Sequence, residues 1–398
     1  SEAERFIDKF SKYYTPAVLV LAAIVWLFSR DIELAITILV LGCPGALVIG
    51  VPVSNVAGIG NGARHGVLLK GSEVIGDFSR VDTIVFDKTG TLTIGNPKVA
   101  DREFYTGNGE EALAYLASVE NESDHPLAKA ITEHIGDTVS YVIEKTDVVK
   151  GAGIVALVAG RRVAIGNAVL MEREIVHLTE KARADIARFE ENGNSLVLTA
   201  IDGELKVLMG IRDQIRPGVK EDLKKLKKLG VKNLVVLSGD NQGTVDLVAR
   251  ELGLTEAHGH MLPGDKSAYI EALKAKKHIV AFIGDGVNDS PSLALAHIGI
   301  AMGSGTDVAI ETSDVVLMNS DFSRLVHALG LTKATASNMR QNIVIAVGVV
   351  LFLLASVFFS EWMNMSIGMF VHEASILVVI LNGMRLLRYK LKAGIRRD

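Results

Sequence analysis

Four apolar stretches, Tyr14 to Phe28, Leu34 to Val53, Ile343 to Phe359 and Met365 to Leu381, stand in two pairs on either side of a long polar middle. A helix needs roughly 20 apolar residues to cross a bilayer. The pattern therefore predicts four membrane-spanning helices, with Trp26 and Trp362 completing the two shorter ones at the interface. Between the pairs, from about Gly62 to Asn338, the period changes. Short apolar runs at 81–86, 233–236 and 278–283 alternate with helical patterns at 217–229, 242–252 and 266–275, as in a parallel sheet covered on both faces. Residues 94–207 differ in texture: helices near 110–119 and 126–135 precede strands at 153–159 and 161–165, joined by an Ala-Gly turn. This reads as an α/β lobe inserted into the first domain. The expected organisation is a helix pair (1–62), a parallel-sheet domain in two parts (63–93 and 208–338) split by the inserted lobe (94–207), and a second helix pair with a tail (339–398).

Composition agrees with that division. Of 398 residues, 49% are hydrophobic and 22% charged, which suits a soluble part joined to membrane spans. The net charge of −4 and the lack of a basic block give no sign of a nucleic-acid partner. A single cysteine, Cys43, excludes an internal disulfide framework and any CxxC site. The start Ser1-Glu2-Ala3-Glu4 has neither an initiating Met nor a signal-peptide pattern, so the chain is expected to begin mid-protein. Lys9 and Lys12 precede the first span, and Arg385, Arg388, Lys390, Lys392, Arg396 and Arg397 follow the last, whereas the connectors at 31–33 and 360–361 are acidic. The positive-inside tendency then places the polar middle and both termini in the cytosol, beneath a lipid bilayer.

The chemistry gathers at strand ends. Asp87-Lys88-Thr89-Gly90-Thr91-Leu92-Thr93 follows a strand-like run and presents one carboxylate among small, donor-rich residues, as a phosphoryl-accepting aspartate requires. A carboxylate is a weak nucleophile, so the chemistry needs Mg²⁺ and cationic or backbone donors to hold the transferring group in line. Later segments offer them: Ser238, Gly239 and Asp240 after one strand, Lys266 in Pro263-Gly264-Asp265-Lys266, and Asp285, Asn288 and Asp289 after another. Gly58, Gly60, Gly62 and Gly66 trail a membrane span rather than a strand, which rules out a dinucleotide fingerprint. No Walker A pattern is present, so any use of ATP must pass through an aspartyl phosphate.

In this order the motifs resemble those of the P-type ATPases, in their heavy-metal-transporting branch, with a haloacid-dehalogenase-like phosphorylated core; the resemblance runs over essentially the whole chain. It implies that Asp87, within the run containing Lys88 and Thr89, is phosphorylated by ATP. It implies too that Asp285 ligates Mg²⁺ with the Asp87 carboxylate and the Thr89 backbone, that Ser238, Gly239 and Lys266 hold phosphoryl oxygens, and that Asn288 and Asp289 brace the site. The inserted lobe is, by the same resemblance, the nucleotide-binding domain. Glu122-Ser123-Asp124-His125-Pro126 is similar to its His-Pro motif, with His125 on adenine and the glutamate at its edge; Gly151 and Gly153 are similar to its glycine pair, and Asp213, Arg216 and Pro217 to the segment re-entering the phosphorylated domain.

In the membrane, Pro44 removes a helical hydrogen bond and is expected to free the carbonyl of Val40, beside the soft ligand Cys43. The copper and zinc subgroups carry a second cysteine where this chain has Gly45, and the zinc subgroup's lysine is missing near Val349 and Val350. His372 and Glu373 resemble the His-Glu motif of the cobalt-type subgroup and are expected to face the bundle interior. Thiolate, imidazole and carboxylate together suit a divalent ion (Zn²⁺, Cd²⁺, Co²⁺, Ni²⁺ or Fe²⁺) better than Cu⁺, which stays the alternative cargo. The family's actuator domain and first helices are missing, so a fragment is expected. A membrane-tethered phosphatase of the same superfamily is the rival; such enzymes place an acid two residues after the nucleophile, where this chain has Thr89.

Overall fold

The computed structural model describes residues 2–123, 126–149, 151–303, 305–359 and 362–391. Asp124 and His125, Glu361, and the tail residues Lys392, Arg396 and Arg397 lie outside them. In chain order, helices α1 (Glu2–Ser29), α2 (Ile32–Leu41) and α3 (Gly45–Arg64) lead to β1 (Val67–Leu69), α4 (Ser72–Ser79) and β2 (Thr83–Asp87). Then come β3 (Thr93–Phe104), α5 (Gly109–Glu120), α6 (Pro126–Ile135), β4 (Ile143–Val149), β5 (Gly153–Val158), β6 (Arg161–Gly166), α7 (Ala168–Arg173), α8 (Glu180–Glu191), β7 (Ser195–Ile201) and β8 (Glu204–Ile215). Next are α9 (Val219–Lys228), β9 (Asn233–Leu237), α10 (Gln242–Leu252), β10 (Glu256–His258), α11 (Pro263–Ala275), β11 (Val280–Gly284) and α12 (Ser290–Leu295). The chain ends with β12 (Ile298–Met302), α13 (Asp307–Thr312), β13 (Val315–Leu317), α14 (Ser323–Phe359) and α15 (Met365–Met384). It packs as two units, one of Ser1–Ile84, Glu221–Lys232 and Tyr269–Asp398, the other of Val85–Lys220 and Asn233–Ala268.

Among the described residues, the first unit holds four helical segments long and apolar enough to cross a membrane. The second of these is not continuous: α2 ends at Leu41 and α3 begins at Gly45, with Pro44 at the start of the new helix. The expectation that Pro44 frees the Val40 carbonyl is corrected here, because the break lets the Cys43 N–H turn back and donate to that oxygen at 3.3 Å. Close helix packing explains the glycines read along α3: a Cβ at Gly58 would lie 2.6 Å from the Thr335 hydroxyl of α14. Deeper in, a satisfied polar clasp ties three helices together. Asn342 donates to the Gly50 carbonyl (2.9 Å) and the Ser54 hydroxyl (3.1 Å), Ser54 donates to Asn338 (2.7 Å), and Asn338 donates to the Asn382 carbonyl (2.9 Å). α14 runs unbroken for 37 residues. The same unit contains β11, β12 and β13 as parallel neighbours, with β1 antiparallel on β13. All the residues of β11 to β13 are buried, as in a sheet covered on both faces.

The second unit contains a six-stranded antiparallel sheet in the order β3-β8-β7-β6-β5-β4. Its central strands are apolar at successive positions because both faces are covered. Val158, Val163, Val197 and Val207 pack with Tyr115, Leu116 and Ile131 of α5 and α6. Their neighbours Val155, Leu198 and Leu208 point the other way, onto Leu170, Met171 and Phe189 of α7 and α8. The predicted Ala-Gly hairpin turn is present, with Ala159 and Gly160 both at positive φ (48° and 75°), the geometry that matches strand twist. In this unit β9 and β10 also pair in parallel, flanked in sequence by α10 and α11.

Candidate functional site

Asp87 is the last residue of β2, and Gly90 at φ 75° turns the chain sharply just beyond it. The carboxylate is 8% exposed and Lys266, in the first turn of α11, is 7% exposed. The Lys266 ammonium donates to Asp87 Oδ1 at 2.5 Å. The pair sets a buried positive charge directly beside the carboxylate at the strand exit. Lys88 turns away from Asp87 and pairs with Asp240 at 2.5 Å. Ser238, at the exit of β9, is buried; its hydroxyl accepts from the Asp240 N–H, while Gly239 beside it is exposed. Thr89 is exposed.

The return from the inserted lobe grips the loop after Asp87. Asp213 accepts from the Thr93 hydroxyl and from the N–H groups of Gly95 (3.1 Å) and Asn96 (3.2 Å). Arg216 donates to the carbonyls of Gly90 (2.6 Å) and Thr91 (3.0 Å). The structure thus brings these two sequence-predicted residues to the loop after Asp87. A cavity of about 690 Å³ opens alongside, lined by Lys88, Gly193, Ser195, Arg212, Asp213 and Thr244 among others.

In the first unit, Asp285 follows β11 and Asp289 closes the next turn, its N–H donating to the Gly286 carbonyl at 3.1 Å. Their carboxylate oxygens lie within 4.8 Å of each other. Asp289 folds back over the strand end, where a Cβ on Gly284 would meet its carboxylate at 2.7 Å, and Asn288 is exposed. Two hard oxygen donors so close together fit Mg²⁺ better than any softer ion.

In the lobe, Gly151 is exposed at φ 76° with nothing within 4 Å of where a Cβ would be, so a ligand has open access to its backbone. Gly153 has a different duty: a Cβ there would meet the Ile165 carbonyl at 2.1 Å, because Gly153 pairs directly with Gly166 on the antiparallel neighbour β6. Glu122 is exposed. The structure points instead to Glu120, a residue that sequence reasoning missed. It ends α5, is 8% exposed, and burial pushes its carboxyl up to about 7. A carboxyl so perturbed marks a functional candidate. The available signal was its position five residues before His125, at the end of an apolar helix face.

This burial predicts a pH effect. Between its ordinary 4.5 and about 7 the folded chain binds a proton that the unfolded chain has lost, so this contribution to stability falls as pH rises through that window and is flat above it. Glu120→Gln, which mimics the neutral form, is expected to remove that slope and gain about 3 kcal/mol over the parent above pH 7. Denaturant titrations of both chains from pH 4.5 to 8 measure it; a parent–variant difference that stays constant with pH contradicts it.

In the membrane-type helices, His372 of α15 lies against the α2–α3 break. Its Nε2 donates to the Cys43 carbonyl at 2.9 Å, and its ring packs where a Cβ on Gly45 would lie 3.3 Å away. A carbonyl only accepts, so Nε2 carries a proton, and Nδ1, 3.7 Å from a Glu373 carboxylate oxygen, is the nitrogen that a neutral ring would offer a ligand. Cys43 is exposed. The expectation that both face the bundle interior holds for His372, whose side chain is 12% exposed, and is corrected for Glu373, whose side chain is 70% exposed and turns away from the described helices.

The description "haloacid dehalogenase-like hydrolase" matches residues 81–297, and a second family of that description matches 266–329. The chain is 37% identical to the zinc-exporting P-type ATPase of Mycobacterium marinum, over 97% of this chain and 53% of that protein. It is also 37% identical to the manganese-exporting P-type ATPase of Mycobacterium bovis, over 96% of this chain and 54% of that one. Among solved structures, a zinc-transporting PIB-type ATPase in the E2.Pi state superposes with TM-score 0.81 at 35% identity, over 97% of this chain and 66% of that one. The catalytic domain of the CPx-ATPase CopB-B superposes with TM-score 0.54 at 31% identity, over 68% of this chain and 97% of that one. The chain spans about half the length of the curated relatives it matches.

Proposed function

The chain belongs to the heavy-metal branch of the P-type ATPases, and from that premise we propose that it carries the phosphorylation, nucleotide-binding and cargo-binding parts of an ATP-driven exporter of a divalent transition-metal ion. The observation that carries the reading is the buried Lys266–Asp87 pair at the exit of β2. Asp87 attacks the γ-phosphorus of ATP; its oxygen forms the new P–O bond as the bond to the bridging oxygen breaks and ADP leaves. Lys266 holds an equatorial phosphoryl oxygen, and Ser238 with the Gly239 backbone holds others. Asp285, Asp289 and Asp87, with the Thr89 backbone, would hold Mg²⁺, which would neutralise phosphate charge there. Arg216 and Asp213 keep the nucleophile's loop in shape. Nucleotide binds to residues 94–207, with adenine at His125 and the backbone of Gly151, and with Glu120 rather than the exposed Glu122 as the recognising carboxyl. Thr89 in place of a proton donor favours a long-lived acyl phosphate over phosphatase turnover.

The cargo site in this reading is built on Cys43 and His372; Glu373, which faces away from the described helices, joins it only where the further helices of the full-length protein close over that face. The imidazole resting on Gly45 fills the space next to the missing second cysteine and presents Nδ1 as a ligand. Relatives named for zinc and for manganese are equally identical, so the ion panel spans Zn²⁺, Cd²⁺, Co²⁺, Ni²⁺, Fe²⁺ and Mn²⁺. The protein sits in a bacterial plasma membrane, with residues 63–338 in the cytosol, and requires an actuator domain and further helices to complete a cycle. ATPase activity of the full-length protein across that panel tests the proposal. Cys43→Ala and His372→Ala are each expected to raise the half-saturating ion concentration more than about tenfold. Stimulation by Cu⁺ alone overturns the divalent reading.

A further inference from the structure

The inserted lobe buries an acid where one of its helices runs out. Glu120 is the last residue of α5 and is 8% exposed. The chain turns on it: the Glu122 N–H donates to the Val119 carbonyl at 3.2 Å and the Ser123 N–H to the Glu120 carbonyl at 3.0 Å, so the segment leading to α6 starts by folding back on this helix end. Among the described residues the Glu120 carboxyl has no hydrogen-bond or ion partner. The charged groups on the elements packed against α5 are engaged elsewhere: Arg161 of β6 with Glu111 and Asp202, Lys129 of α6 with Glu133, Lys206 of β8 with Glu204, and His134 of α6 with Arg102. Burial with no cation beside it favours the protonated form, which is why this carboxyl is pushed up to about 7. A protonated carboxyl presents one donor and one acceptor side by side, whereas a carboxylate presents acceptors alone.

We propose that Glu120 reads the nucleotide base in its protonated state, so that the site selects adenine and, above neutrality, takes up one proton from solvent with each ATP bound. The inference rests on the nucleotide reading of residues 94–207. The Watson–Crick edge of adenine carries the N6 donor beside the N1 acceptor, and the neutral carboxyl matches both, its carbonyl oxygen accepting from N6 and its hydroxyl donating to N1. Guanine carries two adjacent donors, N1–H and N2–H, which match the carboxylate instead. The two charge states of one side chain therefore prefer different bases, and a group that titrates near neutrality makes that preference depend on pH. A solvent-exposed glutamate is ionised throughout this range and gives neither effect.

Calorimetric binding of ATP and of GTP to the full-length protein from pH 6 to 8, in the parent, Glu120→Gln and Glu120→Ala, tests this. Glutamine keeps the donor and acceptor of the protonated acid at every pH, so the ratio of parent to Glu120→Gln dissociation constants cancels the titration of the nucleotide and of His125. That ratio is expected to rise about tenfold for ATP between pH 6 and 8, and to fall for GTP. Repeating the ATP titrations in two buffers of different ionisation enthalpy counts the protons: the parent is expected to take up about half a proton more per ATP than Glu120→Gln at pH 7. An ATP ratio that stays flat or falls, with Glu120→Ala weakening ATP equally at every pH, overturns the proton coupling and leaves the nucleotide reading standing. Glu120→Ala binding ATP as tightly as the parent across the whole range overturns both.

Discussion

Asp87→Asn is expected to reduce acid-stable phosphoenzyme from labelled ATP by more than about a thousandfold, because an amide oxygen lacks the nucleophilic charge that the carboxylate brings. The same change should leave nucleotide binding intact or tighter. Asp87 is the negative charge nearest the position of the incoming γ-phosphate, and it occupies Lys266 at 2.5 Å. Removing that charge takes away a repulsion and leaves the ammonium to the phosphate. The two readouts together separate a catalytic role from a structural one, since a damaged fold loses both. Hydroxylamine-sensitive label persisting in the asparagine variant sinks the assignment.

Lys266→Ala should act differently. Phosphorylation is expected to fall by about a hundred- to a thousandfold through loss of the phosphoryl-oxygen donor. The change also strands a carboxylate that is 8% exposed, and breaking a buried pair from one side destabilises by about 3 to 5 kcal/mol. Adding Asp87→Asn to Lys266→Ala should restore most of that stability while activity stays absent. Denaturant titration of the two single variants and the double variant measures the coupling. A double variant whose loss is the sum of the two single losses means that the pair does not interact, and the site as described is wrong.

Much of the core was legible because its pattern is local. Apolar runs at 81–86, 233–236 and 278–283 gave strands within a residue or two of those observed, and the turn at Ala159-Gly160 follows from residues that tolerate positive φ. The twelve-residue strand β3 was not foreseen, since beyond Thr93 it alternates only between half-buried and exposed positions, and its residues Ile94 to Phe104 do not alternate apolar with polar. The break between α2 and α3 was half-read: proline announced a disruption, but whether the freed carbonyl stays free depends on the path of Cys43. At the site, motif spacing found Asp87 and Lys266, whereas Glu120 escaped notice because burial is a property of the packed lobe rather than of the residues next to it. The same limit applies to Gly153, whose reason is its direct pairing with Gly166 on the neighbouring strand.

At 1.5 Å per residue, the 37 residues of α14 make a rod about 55 Å long. Such a rod has no hinge in which to dissipate a twist, so a rotation imposed where it leaves β13 is delivered to the bilayer midplane almost undiminished. Its neighbour α2–α3 is the opposite, a shaft with a built-in elbow at Cys43. Clamped together by Asn342 and Ser54, the stiff member can work the elbow as a crank works a joint.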